Sequence, residues 1–437
     1  MNDRLERQDK KVLSFIQKKN LLKSGDNCLI ALSGGADSIS LFYILIKIAK
    51  ILKISKISIA HVNYNLREQD SIDEEIYVKS IAEKYNLDFY CKSIKLLEIK
   101  EKNKSLEDFA REIRYNFFEE ICNKYNYNKI LVAHNSNDHA ETIIMKLIKG
   151  TVLGLKGIDS IRDFSTTNNK LKIVRPVLCL SRKEIEEYCN KNKIEYKIDK
   201  SNFSNDYTRN RIRNNLLPLF IEENTNFLET IRNSSDIFSE EQTFILDLSI
   251  EYYKKSLLKI ETNMIILSEK IIKNLNHVLI KKIVKYSFEE LTKSKKSIAS
   301  NRFEEIISSI SKNISGKIIE IGDNLYFTKD KEYLLFTRNL PNFEPIFFEY
   351  KIQINQKINI KELDIDFILD DEKIRKKITN INNIKISNYD NKKEFYIEEK
   401  KGIYNLKDFF DKKQIPNILR KNMILLYENN TLIHYFL

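Results

Sequence analysis

The segment that decides the fold is NCLIALSGGADSISLFYILIKIAK, residues 27–50. Its first six residues are typical of a buried β-strand, and apolar residues return at helical spacing after residue 37. Between them lies SGGADS, residues 33–38, whose paired glycines permit a tight turn with backbone amides aimed at an anion. The N-terminus of the next helix also favours a phosphate, and Asp37 suits a divalent cation that bridges it to phosphates. A plain glycine turn with Asp37 or Ser38 as a helix cap explains the same spacing, so the segment alone leaves both interpretations open.

Strand-like and helix-like segments alternate after this point. The predicted strands are 27–32, 56–62, 87–94 and 129–134, and helical patterns lie between them at 38–52, 71–86 and 106–126. This alternation predicts an α/β fold, with a parallel sheet covered by helices on both faces. Ligands bind at the carboxyl ends of the strands in such sheets. Polar residues cluster at those ends, in segments 33–38, 61–67 and 134–138.

The remainder of the chain predicts two further domains. A helix predicted over 209–217 ends at Pro218, and the pattern from about 220 to 312 is helical. From about 315 the period shifts toward two, which indicates strands, with one helical element near 405–422. We therefore expect a catalytic α/β domain at 1–218, a mainly helical domain at 219–335 and a small α+β domain at 336–437.

Composition indicates a globular protein with a basic surface. The 437 residues are 42% hydrophobic and 31% charged, with a net charge of +12. A basic excess of this size suits a polyanion such as nucleic acid, although a general richness in lysine explains it equally well. The five cysteines form no CxxC pair, which fits reduced thiols and a cytoplasmic location. The sequence predicts no membrane span and no signal peptide.

SGGADS after the first strand resembles the pyrophosphate-binding loop of the N-type ATP pyrophosphatases, the PP-loop family. Four further segments resemble the lysidine synthetases within that family: HVNYNLREQDSIDEE (61–75), SLEDFAREIRYNFF (105–118), LVAHNSNDHAET (131–142) and DKSNFSNDYTRNRIRNNLLPLF (199–220). The segments IVRPVLCLSRKEIEEYC (173–189) and GIYNLKDFFDKKQIPNILRKNMILLYENN (402–430) resemble the same family. Asn137 stands where an Asp is usual and His139 where a Gln is usual.

Two of these segments also have simpler interpretations. Asp138 and Glu141 have the spacing of a helix N-cap and its capping partner. Glu107 and Arg111 have the spacing of an i,i+4 ion pair, which contributes a few tenths of a kcal/mol. The arginine group is more discriminating, because arginine is scarce in this lysine-rich chain and offers phosphate a planar fork that lysine lacks. Its members are Arg209, Arg211 and Arg213.

The resemblance implies an ATP-dependent ligase that joins L-lysine to C2 of the wobble cytidine of a tRNA(Ile) with a CAU anticodon, through an adenylated cytidine. The implied cofactors are ATP and Mg²⁺, with Asp37 as the metal ligand. The expected catalytic residues are Asp37, Asp138, Arg209, Arg211 and Arg213. The expected ATP-binding residues are Ser33, Gly34, Gly35, Ala36, Asp37, Ser38, His61, Asn63, Arg67 and His134. The expected substrate-binding residues are Glu107, Arg111, Arg114 and Glu141.

Two other functions remain open from the sequence. One is another PP-loop enzyme, an RNA thiolase, although such enzymes use cysteine pairs that this chain lacks. The other is a non-catalytic RNA-binding protein, which the intact SGGADS loop disfavours. The sequence leaves the oligomeric state open, with a dimer as one option, and it does not identify the residues that bind the α-groups of lysine.

Overall fold

The computed structural model divides into two compact units, Met1–Glu241 and Gln242–Leu437. The structure describes residues 5–66, 68–99, 105–151, 155–164, 171–197, 208–294, 296, 298–338, 347–363, 365–388, 394–397, 402–413, 415–420 and 423–436. Arg67, the side chain of Glu107 and residues 198–207 of the arginine-rich segment lie outside this part of the chain.

The first unit is built on a six-stranded sheet of order β3-β2-β1-β4-β6-β5. Its strands are β1 (Asn27–Ala31), β2 (Lys56–Asn63), β3 (Phe89–Ser93), β4 (Lys129–Leu131), β5 (Ile161–Asp163) and β6 (Lys172–Val174). Its helices before residue 200 are α1 (Arg7–Lys18), α2 (Ala36–Leu52), α3 (Glu68–Lys84), α4 (Leu96–Ile99), α5 (Leu106–Tyr125), α6 (Ser136–Ile148) and α7 (Arg182–Lys191). All neighbouring pairs are parallel except β5 with β6.

Both faces of this sheet are apolar and covered, as the sequence predicted. Ile30 and Ile59 pack into one core with α1 and α2, while their neighbours Leu29 and Ala60 pack into another with α5. Because successive side chains of a strand point to opposite faces, a strand buried on both sides must be apolar throughout. The carboxyl ends of β1, β2 and β4 consequently bring the polar segments that follow them to one edge.

A widened turn interrupts the helix that follows residue 207. The chain forms α8 (Thr208–Arg211), a π-helical turn (Ile212–Leu216) and α9 (Leu217–Glu223). The prediction that Pro218 ends this helix was wrong, because Pro218 lies in the first turn of α9. A proline has no N–H to donate and crowds the carbonyl four residues back, and the wider turn relieves both problems. The amide of Leu217 bonds instead to the carbonyl of Ile212, five residues back.

The second unit contains more strand than the sequence predicted. Helix α10 (Phe227–Ser256) runs across the boundary between the units, and a hairpin of β7 (Leu257–Glu261) and β8 (Met264–Ser268) follows it. The helical prediction for 220–312 was wrong over this hairpin. The sheet that contains this hairpin has the order β7-β8-β11-β10-β9 and packs against α12 and α13. The other elements are α11 (Glu269–Ile272), α12 (His277–Thr292), α13 (Ser300–Ser311), β9 (Ile318–Gly322), β10 (Leu325–Asp330) and β11 (Tyr333–Thr337).

The last hundred residues form a mainly antiparallel sheet of order β12-β15-β18-β19-β16-β17, in which β16 and β19 pair in parallel, and a separate hairpin β13-β14. The strands are β12 (Glu349–Lys351), β13 (Lys357–Ile360), β14 (Ile365–Ile368), β15 (Ile384–Asn388), β16 (Glu394–Ile397), β17 (Gly402–Asn405), β18 (Ile424–Glu428) and β19 (Thr431–Phe436). The short helices are α14 (Glu372–Arg375), α15 (Leu406–Lys412) and α16 (Asn417–Arg420). Across the described residues of both units, we find no helix that combines the length and apolar character needed to span a membrane.

Candidate active site

The SGGADS segment forms a tight loop between β1 and α2. Gly34 has a φ of +82°, a backbone conformation that side-chain-bearing residues rarely adopt, and Gly35 is the N-cap of α2. The amide of Ser33 donates to the hydroxyl of Ser38 at 3.2 Å, which closes the loop over the first helical turn. The amide of Lys197 donates to the carbonyl of Gly34 at 3.0 Å and anchors the loop from outside. The first-turn amides of a 17-residue helix therefore face the carboxyl edge of the sheet.

Asp37 lies in the first turn of α2 and reaches two other elements. One carboxylate oxygen accepts from the side-chain amide of Asn135 at 3.0 Å, and the other accepts from the guanidinium of Arg182 at 2.8 Å. Burial raises the pKa of this carboxyl, and the charge of Arg182 opposes the rise. The Asp138 carboxylate is close enough to raise the pKa further. Two carboxylates thus converge beside the phosphate loop, a charge arrangement that suits a cation.

Asp138 and Glu141 form a paired cluster with two arginines, Arg209 of α8 and Arg213 of the π-helical turn. Arg209 donates to Asp138 at 2.7 Å and to Glu141 at 2.8 Å, and Arg213 donates to the same two carboxylates at 3.1 and 2.7 Å. The side chain of Glu141 is fully buried. Four charged groups therefore neutralise one another across α6 and the segment 208–216. The structure thus brings together four side chains that the sequence predicted as site residues.

The capping interpretation of Asp138 is partly right, but with a different partner. The N-cap of α6 is Asn135, and Asp138 is the third helical residue, whose carboxylate accepts from the Asn135 amide at 3.0 Å. Asp138 uses its second oxygen for Arg209 and Arg213. Glu141 is not the capping partner. The spacing therefore reflects a cap and an ion-pair cluster together.

Arg211 lies apart from this cluster. Its side chain is exposed and donates to the hydroxyl of Thr208 at 3.1 Å. Helical spacing explains the difference, because residues 209 and 213 share a face while residue 211 lies half a turn away. Of the three arginines, the structure brings Arg209 and Arg213 to the carboxylates.

Two histidines at the strand ends are held in neutral form. The ring of His134 accepts at Nδ1 from the guanidinium Nε of Arg175 at 3.1 Å. Burial lowers the pKa of His134 to about 3, with Asp138 opposing and Arg175 adding to the fall. His61 donates from Nδ1 to the carbonyl of Leu32 at 2.8 Å, because a carbonyl can only accept. Its Nε2 is buried without a hydrogen-bond partner among the described residues, and burial lowers its pKa too.

The remaining predicted site residues lie on α5 and in the loop after β2. Asn63, the last residue of β2, is buried and donates to Glu75 of α3 at 2.8 Å, so its side-chain amide connects the strand to the helix. Arg111 and Arg114 stack on the ring of Tyr115, with guanidinium carbons 5.0 and 5.6 Å from the ring centre. Arg111 is also close enough to His134 to lower its pKa.

The chain is similar to known proteins over most of its length. A family model described as a PP-loop domain matches residues 4–220. A tRNA(Ile)-lysidine synthase from Clostridium perfringens is 33% identical to the chain over 449 residues, which cover 96% of this chain and 92% of that protein. The chain belongs to the tRNA(Ile)-lysidine synthase family.

Another tRNA(Ile)-lysidine synthase, from Clostridioides difficile, is 34% identical over 357 residues, or 81% of this chain and 75% of that protein. Among solved structures, the U34-tRNA thiolase NcsA from Methanococcus maripaludis aligns with a TM-score of 0.44 and 17% identity, over 53% of this chain and 78% of that chain.

The two departures from the family's usual loop have structural explanations. Asn137 accepts from the backbone amide of Arg182 at 3.0 Å, and the oxygen of an Asp would accept in the same way. His139 is buried, and its Nδ1 accepts from the amide of Ile158 at 3.1 Å. A Cβ on Gly157 would lie 2.4 Å from the His139 ring, so the glycine is required for this contact. In the part of the chain that the structure describes, neither side chain hydrogen-bonds to Asp138, Glu141, Arg209 or Arg213.

Sequence reasoning missed two arginines of the site, Arg175 and Arg182. Arg182 pairs with Asp37, and Arg175 fixes the ring of His134. Both lie in the segment IVRPVLCLSRKEIEEYC, whose resemblance to the lysidine synthetases was the available signal. A resemblance identifies the segment, but only the fold shows that it crosses the carboxyl ends of β1 and β4.

Proposed function

We propose that this protein uses ATP to join L-lysine to C2 of the wobble cytidine of a tRNA(Ile) with a CAU anticodon. The observation that carries the proposal is the Asp138–Glu141–Arg209–Arg213 cluster at the same sheet edge as the SGGADS loop. A phosphate-binding loop alone fits many ATP-using enzymes. A loop beside paired carboxylates and arginines provides what an adenylation followed by amine attack requires.

In the first step, O2 of the cytidine bonds to the α-phosphorus of ATP and the bond to pyrophosphate breaks. The first-turn amides of α2, with Ser33 and Ser38, are placed to hold the leaving pyrophosphate. Adenylation turns a poor leaving group, the C2 oxygen, into a good one. His61, whose Nε2 has no partner among the described residues, is the proposed contact to the nucleoside part of ATP.

In the second step, the ε-nitrogen of lysine bonds to C2, and AMP leaves with the former O2. The attacking amine must be neutral, whereas the free ammonium has a pKa of about 10.4. Asp138 is the proposed acceptor of its proton, because it is the carboxylate of the cluster that retains some exposure. Arg209 and Arg213 form charge-assisted hydrogen bonds with both carboxylates and are the proposed groups that stabilise the departing phosphate charge.

Asp37 fits a role in holding Mg²⁺. Magnesium in ATP-using sites is usually bound by one or two carboxylates together with substrate phosphates, and each oxygen of Asp37 retains a lone pair beyond its single hydrogen bond. No group of three or more His, Cys, Asp or Glu side chains among the described residues is arranged to hold a metal without such a substrate. A bound Mg²⁺ neutralises the phosphates, and Asp37 would orient it beside the loop.

Incorporation of labelled lysine tests the proposal. The protein is incubated with ATP, labelled L-lysine and a tRNA(Ile) transcript bearing CAU, and the product is digested to nucleosides. We expect one labelled nucleoside and release of AMP and pyrophosphate. A tRNA(Met) with the same anticodon is the control and should remain unlabelled. Release of pyrophosphate without lysine incorporation would indicate another PP-loop enzyme, and neither product would indicate a binding protein.

A further inference from the structure

An excess of arginine lies on the α5 side of the active site. Arg175 is only 3% exposed and is directed to His134 Nδ1 and, at 2.6 Å, to the carbonyl of Asp159. It makes no ion pair with a carboxylate among the residues that the structure describes. The carboxylate of Asp159 itself pairs with Lys156 at 3.1 Å. A buried cation without a counter-ion is costly, so this position favours an anionic ligand.

A second arginine, next to Arg175, also lacks a partner for part of its guanidinium group. Arg162 on β5 is half-buried, and its Nε is shielded from solvent without a hydrogen-bond acceptor in the described structure. Its guanidinium stacks on Tyr115 at 5.7 Å from the ring centre, beside Arg111. A cation–π contact uses the face of a guanidinium, and the N–H groups at its edge remain donors that suit a planar anion. Arg111 and Arg162 both lie close enough to Arg175 to lower its pKa by charge repulsion.

We infer that Arg175 and Arg162, assisted by Arg111, form the seat for the α-carboxylate of the amino-acid substrate. The inference rests on the proposed function and adds how the substrate's far end is recognised. His134 connects the two parts of the site, because its ring accepts from Arg175 at 3.1 Å and its chain position is four residues before Asp138. A lysine whose ε-amine lies at Asp138 would extend past His134 toward this seat.

Other anions fit these arginines less well. The phosphates of ATP are accommodated by the SGGADS loop at the end of β1. A phosphate of the tRNA backbone belongs to a bulky polymer that contacts the protein surface, whereas the buried Arg175 suits a small free ligand. A carboxylate is planar and small, and it matches the guanidinium fork with two parallel hydrogen bonds. The seat also explains how an amino acid would be preferred over a simple diamine.

The experiment compares lysine with L-lysinamide, which keeps both amines but has no negative charge. For the wild-type protein and the Arg162→Gln and Arg175→Gln variants, one measures the KM of lysine and the inhibition constant of lysinamide in the incorporation assay. We expect the ratio of lysinamide inhibition constant to lysine KM to fall at least about tenfold in each variant, the scale of one charge-assisted hydrogen bond. The weakening should come from lysine, with lysinamide unchanged.

The controls separate this inference from the proposed function. Lys172→Gln removes a positive charge from β6 outside the cluster and should leave the ratio unchanged. Wild-type incorporation itself reports on the proposed function. Nε of Arg162 has no hydrogen-bond partner among the described residues, so we expect Arg162→Gln to stay folded. This variant therefore remains informative if Arg175→Gln unfolds. An unchanged ratio in a folded Arg162→Gln variant would overturn the inference. So would a defect confined to tRNA affinity and its salt dependence, which would mark a phosphate seat instead.

Discussion

The two oxygens of Asp138 have different tasks. One accepts from the Asn135 amide and completes the capping box of α6, while the other accepts from Arg209 and Arg213. A carboxylate can do both because each oxygen is an acceptor, whereas an amide has one acceptor oxygen and one donor nitrogen. Either orientation of an Asn at this position would place a donor against a donor. Capping and cluster formation are therefore coupled through one side chain.

We predict that Asp138→Asn lowers both activity and stability. Loss of the proton acceptor should reduce the rate of lysine incorporation by about 10²–10⁴-fold. The mismatched hydrogen bond should lower the free energy of unfolding by about 1–3 kcal/mol. The measurements are the incorporation rate and a urea titration. Asp108→Asn is the matched control, because Asp108 is the corresponding third residue of α5 but is exposed and outside the site. A fully active Asp138→Asn protein would leave Asp138 with a capping role alone.

A substitution of Asp37 tests the proposed metal role, and it should affect folding less than Asp138→Asn does. Asp37 is half-buried and lies at the surface of the sheet edge, and its two contacts are to side chains rather than to backbone. We predict that Asp37→Asn abolishes tRNA-dependent ATP–pyrophosphate exchange, by at least about 100-fold, because the phosphates are no longer neutralised by their cation. The melting temperature should change by only a few degrees. Glu186→Gln, which alters the other partner of Arg182, is the control. Substantial exchange by Asp37→Asn at ordinary Mg²⁺ concentrations would exclude the metal role.

At the scale of elements, the π-helical turn determines where the two site arginines lie. Arg213 is within the turn and Arg209 is one helical turn before it. Pro218 is the residue that disfavours a regular α-helix here. We predict that Pro218→Ala allows the regular helix and rotates the preceding segment by about 100°, the angle of the one extra residue that the wide turn holds. Activity should fall at least about tenfold as Arg209 leaves Glu141, since charge-assisted hydrogen bonds contribute about 1.5–3 kcal/mol.

Stability should be retained in the same variant, because alanine favours a helix interior more than proline does. A thermal melt and the incorporation rate measure the two effects. Leu219→Ala, at an exposed neighbouring position, is the control and should remain active. If Pro218→Ala keeps full activity, the wide turn is not what positions the arginines.

The elements of the first unit were predictable because their signals are local. The strand starting at Asn27 and the helix ending near Tyr125 follow from apolar periodicity within a few residues. The β7-β8 hairpin was missed because β8 is stabilised by pairing with β11, about seventy residues later in the chain. The sequence predicted which residues belong to the site, but it did not predict which of them pair with one another. Nothing local links Arg182 to Asp37, because only the parallel crossovers bring the two together.

At the scale of the whole molecule, three buried histidines make stability depend on pH. Burial lowers the pKa values of His61, His134 and His139 below their ordinary value of 6.5. Below pH 6.5 the unfolded chain therefore binds protons that the folded protein does not. Stability is full above that pH and decreases as the pH falls. Asp37, whose pKa is raised, acts in the opposite direction at lower pH as the folded protein takes up its proton first.

We predict that the free energy of unfolding falls between pH 7 and pH 5, with a limiting slope of about 1.4 kcal/mol per pH unit from His134 and further contributions of the same sign from His61 and His139. Urea titrations at several pH values measure it. His139→Gln should reduce the slope, because the substituted side chain does not titrate. His277→Gln, at an exposed position of the second unit, is the control. A slope that His139→Gln leaves unchanged would contradict the prediction.

The residues beyond the catalytic unit raise the question of what holds the tRNA. The predicted boundary at 335 falls inside β11, which pairs with both β8 and β10, so a truncation there would remove part of a central strand. Arg420 is 1% exposed and donates to Asp411 and to the carbonyl of Ile415, so it has a structural role. Lys407, Lys412 and Lys413 are exposed on or beside α15 and are the candidate tRNA contacts of this region.

We predict that residues 339–437 add salt-dependent tRNA affinity without affecting ATP binding. Each lysine that pairs with a phosphate releases counter-ions, so the slope of log affinity against log salt should become shallower by about 0.9 for each such lysine that is replaced. The test compares the full chain, a chain ending at Arg338 and a full-length Lys407→Gln/Lys412→Gln variant by filter binding at several salt concentrations. Lys357→Gln, which removes one positive charge from the separate β13-β14 hairpin, is the control and should keep the wild-type slope. The double variant separates phosphate binding from folding, because it keeps the whole fold while removing two charges that face solvent. Equal slopes for the full chain and the double variant would exclude α15 as a phosphate-binding surface, and equal slopes for all three proteins would show that this region does not hold the tRNA.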